Sequence, residues 1–149
     1  MKVAIGNDRK GMSYKKGIAE YLLSQRIEVI NVGSDEDVPS DYPIYAAKVA
    51  NSVAKGEADF GILICSSGVG MSIAANKVKG IRCGIAYNET VAQRMREHND
   101  ANVISLGQDY IDLKDAIEYV KIFLSTKFLG KHHEVRIEQI SDIENGKLD

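Results

Sequence analysis

Two periods alternate along this chain. Short apolar runs rich in β-branched residues predict five strands: "KVAIGND" (Lys2–Asp8), "IEVINVG" (Ile27–Gly33), "FGILIC" (Phe60–Cys65), "IRCGIAY" (Ile81–Tyr87) and "ANVISLG" (Ala101–Gly107). The stretches between them repeat apolar residues every three or four positions, the mark of a helix with one buried face. Ser13–Arg26 sets Ile18, Tyr21, Leu22 and Leu23 on one side. The next helix, "IYAAKVANSVAKG", has Pro43 in its first turn, where a missing N–H costs nothing, and Gly56 as its stop. A helix is predicted from about Gly70 to Val78, and "NETVAQRMREHN" follows with Asn88 as N-cap. Asp112–Thr126 predicts a long amphipathic helix. His132–Asn145 predicts a last one, striped with Val135, Ile137, Ile140 and Ile143.

Elements that alternate strictly call for a parallel sheet with helices on both faces, because right-handed crossovers place them there. The expected fold class is α/β, a three-layer α/β/α arrangement on a five-stranded parallel sheet. No repeat, linker or low-complexity segment divides residues 1–149, so a single domain is expected. A chain of this length buries roughly 68–70% of its unfolded surface.

Composition narrows the function classes. Hydrophobic residues make up 44% and charged residues 27% of the chain, with a formal net charge of −2, which argues against a nucleic-acid backbone binder. One phosphate needs only a few donors, so a local anion site stays open. No apolar run approaches the length of a membrane span, and the N-terminus reads as strand and turn rather than signal peptide. Two cysteines in apolar runs fit a reducing compartment, and a cytoplasmic location is expected. With no CxxC pair and three histidines, no structural metal site is expected.

Ligands of such sheets bind beyond the carboxyl ends of the strands, where strand order reverses. That rule selects Asn7-Asp8-Arg9, Gly33-Ser34, Cys65 to Gly70, Tyr87-Asn88 and Gly107-Gln108. In "CSSGVG" the glycines allow a tight bend, and the amides and the Ser66 and Ser67 hydroxyls offer donors to an anion. A purely structural turn uses glycines too, and the spacing is neither that of a Walker loop nor GxGxxG. Cys65 reads either as a small apolar residue ending a strand or as a thiol beside a helix N-terminus, where the dipole's positive end favours thiolate. Cys83 reads as core. His98, in "EHNDANV", reads as a helix-end cap or as a proton carrier. His132 and Arg136 stand four residues apart, as an anion clamp or as part of a solvated basic face.

Together "VAIGND", "DYP", "GILICSSGVGMSIAANKVKGIR", "HNDANV" and "HHEVRIEQI" resemble the ribose-5-phosphate isomerase B and galactose-6-phosphate isomerase family, from Lys2 to Ile143. The resemblance implies a Rossmann-like fold and a cofactor-independent aldose–ketose isomerase acting on a phosphorylated sugar through a cis-enediol. Ribose 5-phosphate to ribulose 5-phosphate is the leading reading. Another pentose, tetrose or hexose phosphate is the alternative, and a non-catalytic sugar-phosphate-binding module is the alternative of a different class. It also implies a homodimer or homotetramer with the active site between subunits, neither nucleic acid nor membrane as partner, and the helix at about 132–145 packed on the partner.

By position, the resemblance makes Cys65 the catalytic base and assigns Ser67 and His98 to ring opening. The amides of Ser67, Gly68, Val69 and Gly70 would stabilise the enediolate. Asp8, Tyr42 and Asn99 would contact sugar oxygens, and His132 and Arg136 would hold phosphate. Three departures stand out. Arg9 replaces the family's histidine, Asp109 replaces an arginine that reaches phosphate, and Ser66 replaces a glycine. The expectation is that Arg9 binds the phosphate in place of the arginine that Asp109 supplants.

Overall fold

In the computed structural model, which describes residues 1–149, five parallel strands form one sheet in the order β2-β1-β3-β5-β4. The strands are β1 (Lys2–Asn7), β2 (Glu28–Asn31), β3 (Phe60–Cys65), β4 (Cys83–Ile85) and β5 (Val103–Gly107). The helices are α1 (Met12–Ser24), α2 (Tyr42–Ala54), α3 (Val69–Ala75), α4 (Glu89–Glu97), α5 (Leu113–Ser125) and α6 (His132–Glu144). A short 3-10 turn, Arg9–Gly11, joins β1 to α1.

The central strands divide their side chains by parity, as a two-sided sheet requires. Val3, Ile5, Ile62, Ile64, Ile104 and Leu106 pack with α1, α4 and α5 through Ile18, Leu22, Met95, Val120 and Phe123. Ala4, Leu63 and Cys65 point the other way, against Val49 of α2 and Met71 and Ala75 of α3. Chain order reverses between β1 and β3, which lie side by side with Asn7 opposite Ile64. That reversal brings the residues after β1 and β3 to one crevice.

Three predicted elements are shorter than their hydrophobic pattern suggested. The helix expected from Gly70 to Val78 is α3, Val69–Ala75. It stops because the Asn76 side chain leaves the helix to pair with Cys83, accepting its N–H at 2.8 Å and donating to its carbonyl at 3.0 Å. The run Ile81–Tyr87 yields only Cys83–Ile85, the edge strand, because Ile81 closes a turn onto Val78 and Arg82 N–H is taken by the Asn102 side chain. β2 ends at Asn31, whose side-chain oxygen accepts the Gly33 N–H at 3.0 Å. Asn88 does cap α4, accepting the Val91 N–H at 2.8 Å. No helix is long and apolar enough to cross a membrane.

α6 differs from the other helices. Its one buried residue is His133, while Val135 and Ile143 are well exposed. Ile140 and Ile143 face β4 across the chain's largest cavity, about 430 Å³, which Cys83 also lines. Cys83 is thus a half-buried groove residue rather than core; burial pushes its thiol up to about 12, so it is a neutral thiol at any physiological pH.

Candidate active site

The turn after β3 is built around a left-handed residue. Gly68 has φ +79°, and a Cβ there would lie 3.2 Å from the Ser105 hydroxyl and the Leu106 carbonyl carbon. Only glycine takes this conformation without strain. The buried Ser105 donates its hydroxyl to the Gly68 carbonyl at 2.7 Å and so clamps the turn from beneath. With the bend set, the Gly68 N–H donates to the Cys65 sulfur at 3.1 Å, and the Val69 N–H donates to the Ser67 hydroxyl at 3.2 Å. Two of the four amides expected to serve an anion are therefore already engaged. Those of Ser67 and Gly70 keep no acceptor within the chain.

Cys65 is only 6% exposed, with its sulfur on the amide side of the turn. It sits at the edge of the α2/α3 core rather than at the mouth of an open cavity, as one chain alone presents it. Tyr42, the first residue of α2, lays its ring on Gly70, where an added Cβ would come within 2.7 Å of the ring. Asp8 is held beside the turn by its N–H bond to the Ile64 carbonyl. Its carboxylate accepts the Lys10 and Gly11 amides at 3.0 and 3.1 Å, capping the 3-10 turn.

Arg9 is not free. Its Nε donates to Asp37 at 2.7 Å, and its backbone N–H donates to the Ser40 hydroxyl. The acidic loop 34–41 thus wraps the cation and fixes its base. The loop has its own anchor, which the hydrophobic pattern does not reveal. Lys15 is buried, and its ammonium donates to Asn31, to the Ser34 carbonyl and to Asp35. The Lys15 hydrogen bond holds the Asp35 carboxyl below the usual carboxylate range. Asp109 is exposed, with its N–H on the Ser66 carbonyl, and Gln108 beside it keeps a buried side-chain oxygen without a partner.

The remaining predicted residues lie at the opposite end of the sheet, by the amino ends of β3 and β5. His98 and Asn99 follow α4, and Asn102 just beyond them accepts the Gly61 N–H through its carbonyl, at the start of β3. From Gly61 to Cys65 the strand rises roughly 13 Å, so no rotamer joins His98 to Cys65 in one chain. The turn carrying His98 and Asn99 is rigid. Asp100, at φ 45°, is bonded by Arg82 and Arg96, and Arg96 lies over the faces of Phe60 and Phe123. Here His98 meets the start of α6. Its ring stacks on His133 with centroids 4.4 Å apart and planes at 13°, and His133 in turn lies 4.0 Å from the His132 ring. His132 and Arg136 are exposed, one helical turn apart.

The structure therefore gathers Asp8, Arg9, Tyr42, Ser66, Ser67, Gly68, Val69 and Gly70 around Cys65, and separately gathers His98, Asn99, His132 and Arg136. Residues 3–140 match the profile of the ribose/galactose isomerase family. The chain belongs to this family. Ribose-5-phosphate isomerase B of Escherichia coli is 43% identical over 143 residues, covering 96% of each chain. The solved Clostridium thermocellum ribose-5-phosphate isomerase B superposes with a TM-score of 0.97 at 42% identity, over 98% of this chain and 99% of that one. The Mycoplasma genitalium ribose-5-phosphate isomerase B, solved with ribulose 5-phosphate bound, superposes with a TM-score of 0.93 at 37% identity, over 97% and 96%. The α/β fold expected of a ribose/galactose isomerase is thus the fold this chain has. Ser105, Lys15 and His133 carry no signal of their placement in the sequence, because nothing in local pattern tells a buried polar residue from an exposed one.

Proposed function

We propose that this chain interconverts ribose 5-phosphate and ribulose 5-phosphate, as a homo-oligomer whose active site joins the Cys65 end of one subunit's sheet to the His98 end of the next. The observation that carries the reading is the turn itself: a sulfur receiving an N–H, with two unpaired amides on the same bend. A carbon acid next to a carbonyl gives up its proton only if base and enediolate are stabilised together. Cys65, as thiolate, takes the proton from C2 of the open-chain aldose and returns it to C1. The Ser67 and Gly70 amides are the donors left for the oxygen that gains charge. Protons and electrons balance within the sugar, so the steps call on no metal or organic cofactor.

Ribose 5-phosphate is mostly ring-closed, so the ring must open first. His98 of the second subunit protonates the ring oxygen, with the Ser67 hydroxyl assisting, while Asp8, Tyr42 and Asn99 hold sugar hydroxyls. Phosphate falls to His132 and Arg136 from that subunit and to Arg9 from the first. Asp37 occupies Nε of Arg9 and leaves its terminal nitrogens for an anion. The exposed apolar residues of α6, Val135, Ile140 and Ile143, favour its packing on the partner.

The test is isomerisation and solvent-deuterium incorporation with five- and six-carbon aldose phosphates. Cys65→Ala is expected to lose both while keeping its fold. Binding without deuterium exchange in the unaltered protein would make the chain a binding module, and turnover retained in Cys65→Ala would move the base elsewhere.

A further inference from the structure

His133 has no part in the chemistry above, yet it is the most buried residue of α6. Its ring makes no hydrogen bond to any protein group; its backbone N–H closes the turn onto Gly130. What holds the imidazole is two other imidazoles, His98 nearly parallel on one side and His132 tilted on the other. We infer that His133 is a positioning residue: a flat spacer that fixes the ring-opening imidazole of His98 against the phosphate-holding side chains His132 and Arg136. The inference rests on the ring-opening role proposed for His98.

Two physical arguments support a spacer over a third proton carrier. A base must reach solvent or substrate with a nitrogen, whereas His133 is buried, with its ring stacked on His98 and the His132 ring tilted against it. The groups facing it are His98 from the end of α4 and His132 and Arg136 from α6, all cations or able to become so. Burial first, and those neighbours next, hold its proton affinity below the ordinary histidine value. A neutral ring can lie against two imidazoles without repelling either, and its π-face favours a cationic neighbour. The turn beneath His98 is pinned by Arg82 and Arg96, so the ring's remaining freedom is rotation about its side-chain bonds. A stacked plate removes that freedom.

The experiment is a double-mutant cycle read as kcat and KM for ribose 5-phosphate across pH. His133→Gln, which keeps polarity but loses the plate, is expected to lower kcat about tenfold, the scale of one aromatic stack removed, and to shift the acid limb of the kcat profile. His133→Phe, which stacks but cannot titrate, is expected to restore kcat to within about threefold. In the His98→Asn background the His133→Gln change should add nothing, since its effect runs through His98. A full loss in His133→Phe, or an undiminished His133→Gln effect in that background, overturns the inference. Unchanged turnover in His98→Asn alone would instead overturn the ring-opening role on which it rests.

Discussion

Cys65 and Gly68 depend on one another. The sulfur receives the Gly68 amide, and the left-handed Gly68 then turns the chain from that contact into α3, a conformation only glycine takes without strain. Arg9 shows the opposite economy, with its charge split between a fixed anchor and free terminal nitrogens. If the terminal nitrogens hold phosphate, Arg9→Ala raises KM for phosphorylated sugars by about tenfold or more, the worth of a charge-assisted pair, with kcat little changed. Unaltered KM for every phosphorylated sugar in a panel would end that role.

Among the elements, the loop between β2 and α2 is held by electrostatics rather than packing. Lys15 is buried and cannot stay charged there without the oxygens of Asn31, Ser34 and Asp35. Asp35 has a folded proton affinity below its unfolded one. Its contribution is therefore complete above the unfolded carboxylate value and is lost as pH falls through the lower, folded one. Asp35→Asn is expected to destabilise at neutral pH by less than about 1 kcal/mol, because the carboxylate is mostly in water. The gap in urea midpoint between the two proteins should close as pH falls from about 7 toward about 3. A gap that stays constant would show that the ion pair does nothing for the loop. That this loop carries Asp37 and Ser40 links the anchor at Lys15 to the placement of Arg9.

For the whole molecule, the decisive geometry is that Cys65 closes the carboxyl end of the central strand β3 while His98 lies by the amino ends of β3 and β5. On the proposed reading, an assembly that joins these opposite ends makes each site from two subunits, and complementation follows. Cys65→Ala, inactive alone, and His98→Asn, strongly impaired but measurable alone, should together reach about a quarter of wild-type activity when mixed and allowed to exchange subunits, since heterodimers form half the population and carry one intact site of two. No recovery after verified exchange would place Cys65 and His98 in the same subunit's site or in none. On the same reading, the apolar residues of α6 that the chain's own core leaves exposed are covered by the partner.

Period and spacing alone carried the five strands, their parallel sense and the six helices, because these follow from which residues can be buried along each segment. Glycines and capping residues such as Pro43, Gly56 and Asn88 were legible for the same reason: they act on their own neighbours. The early end of α3 and the narrow edge strand β4 were not, because Asn76 and Asn102 spend their side chains on backbone groups distant in the chain. Nor could local pattern pair Arg9 with Asp37, bury Lys15 or stack three histidines, each of which joins segments that meet only after folding. The residue types of the site are written in the chain; which amides remain free, which charges are neutralised and which end of the sheet each residue occupies are settled by the order in which the strands assemble.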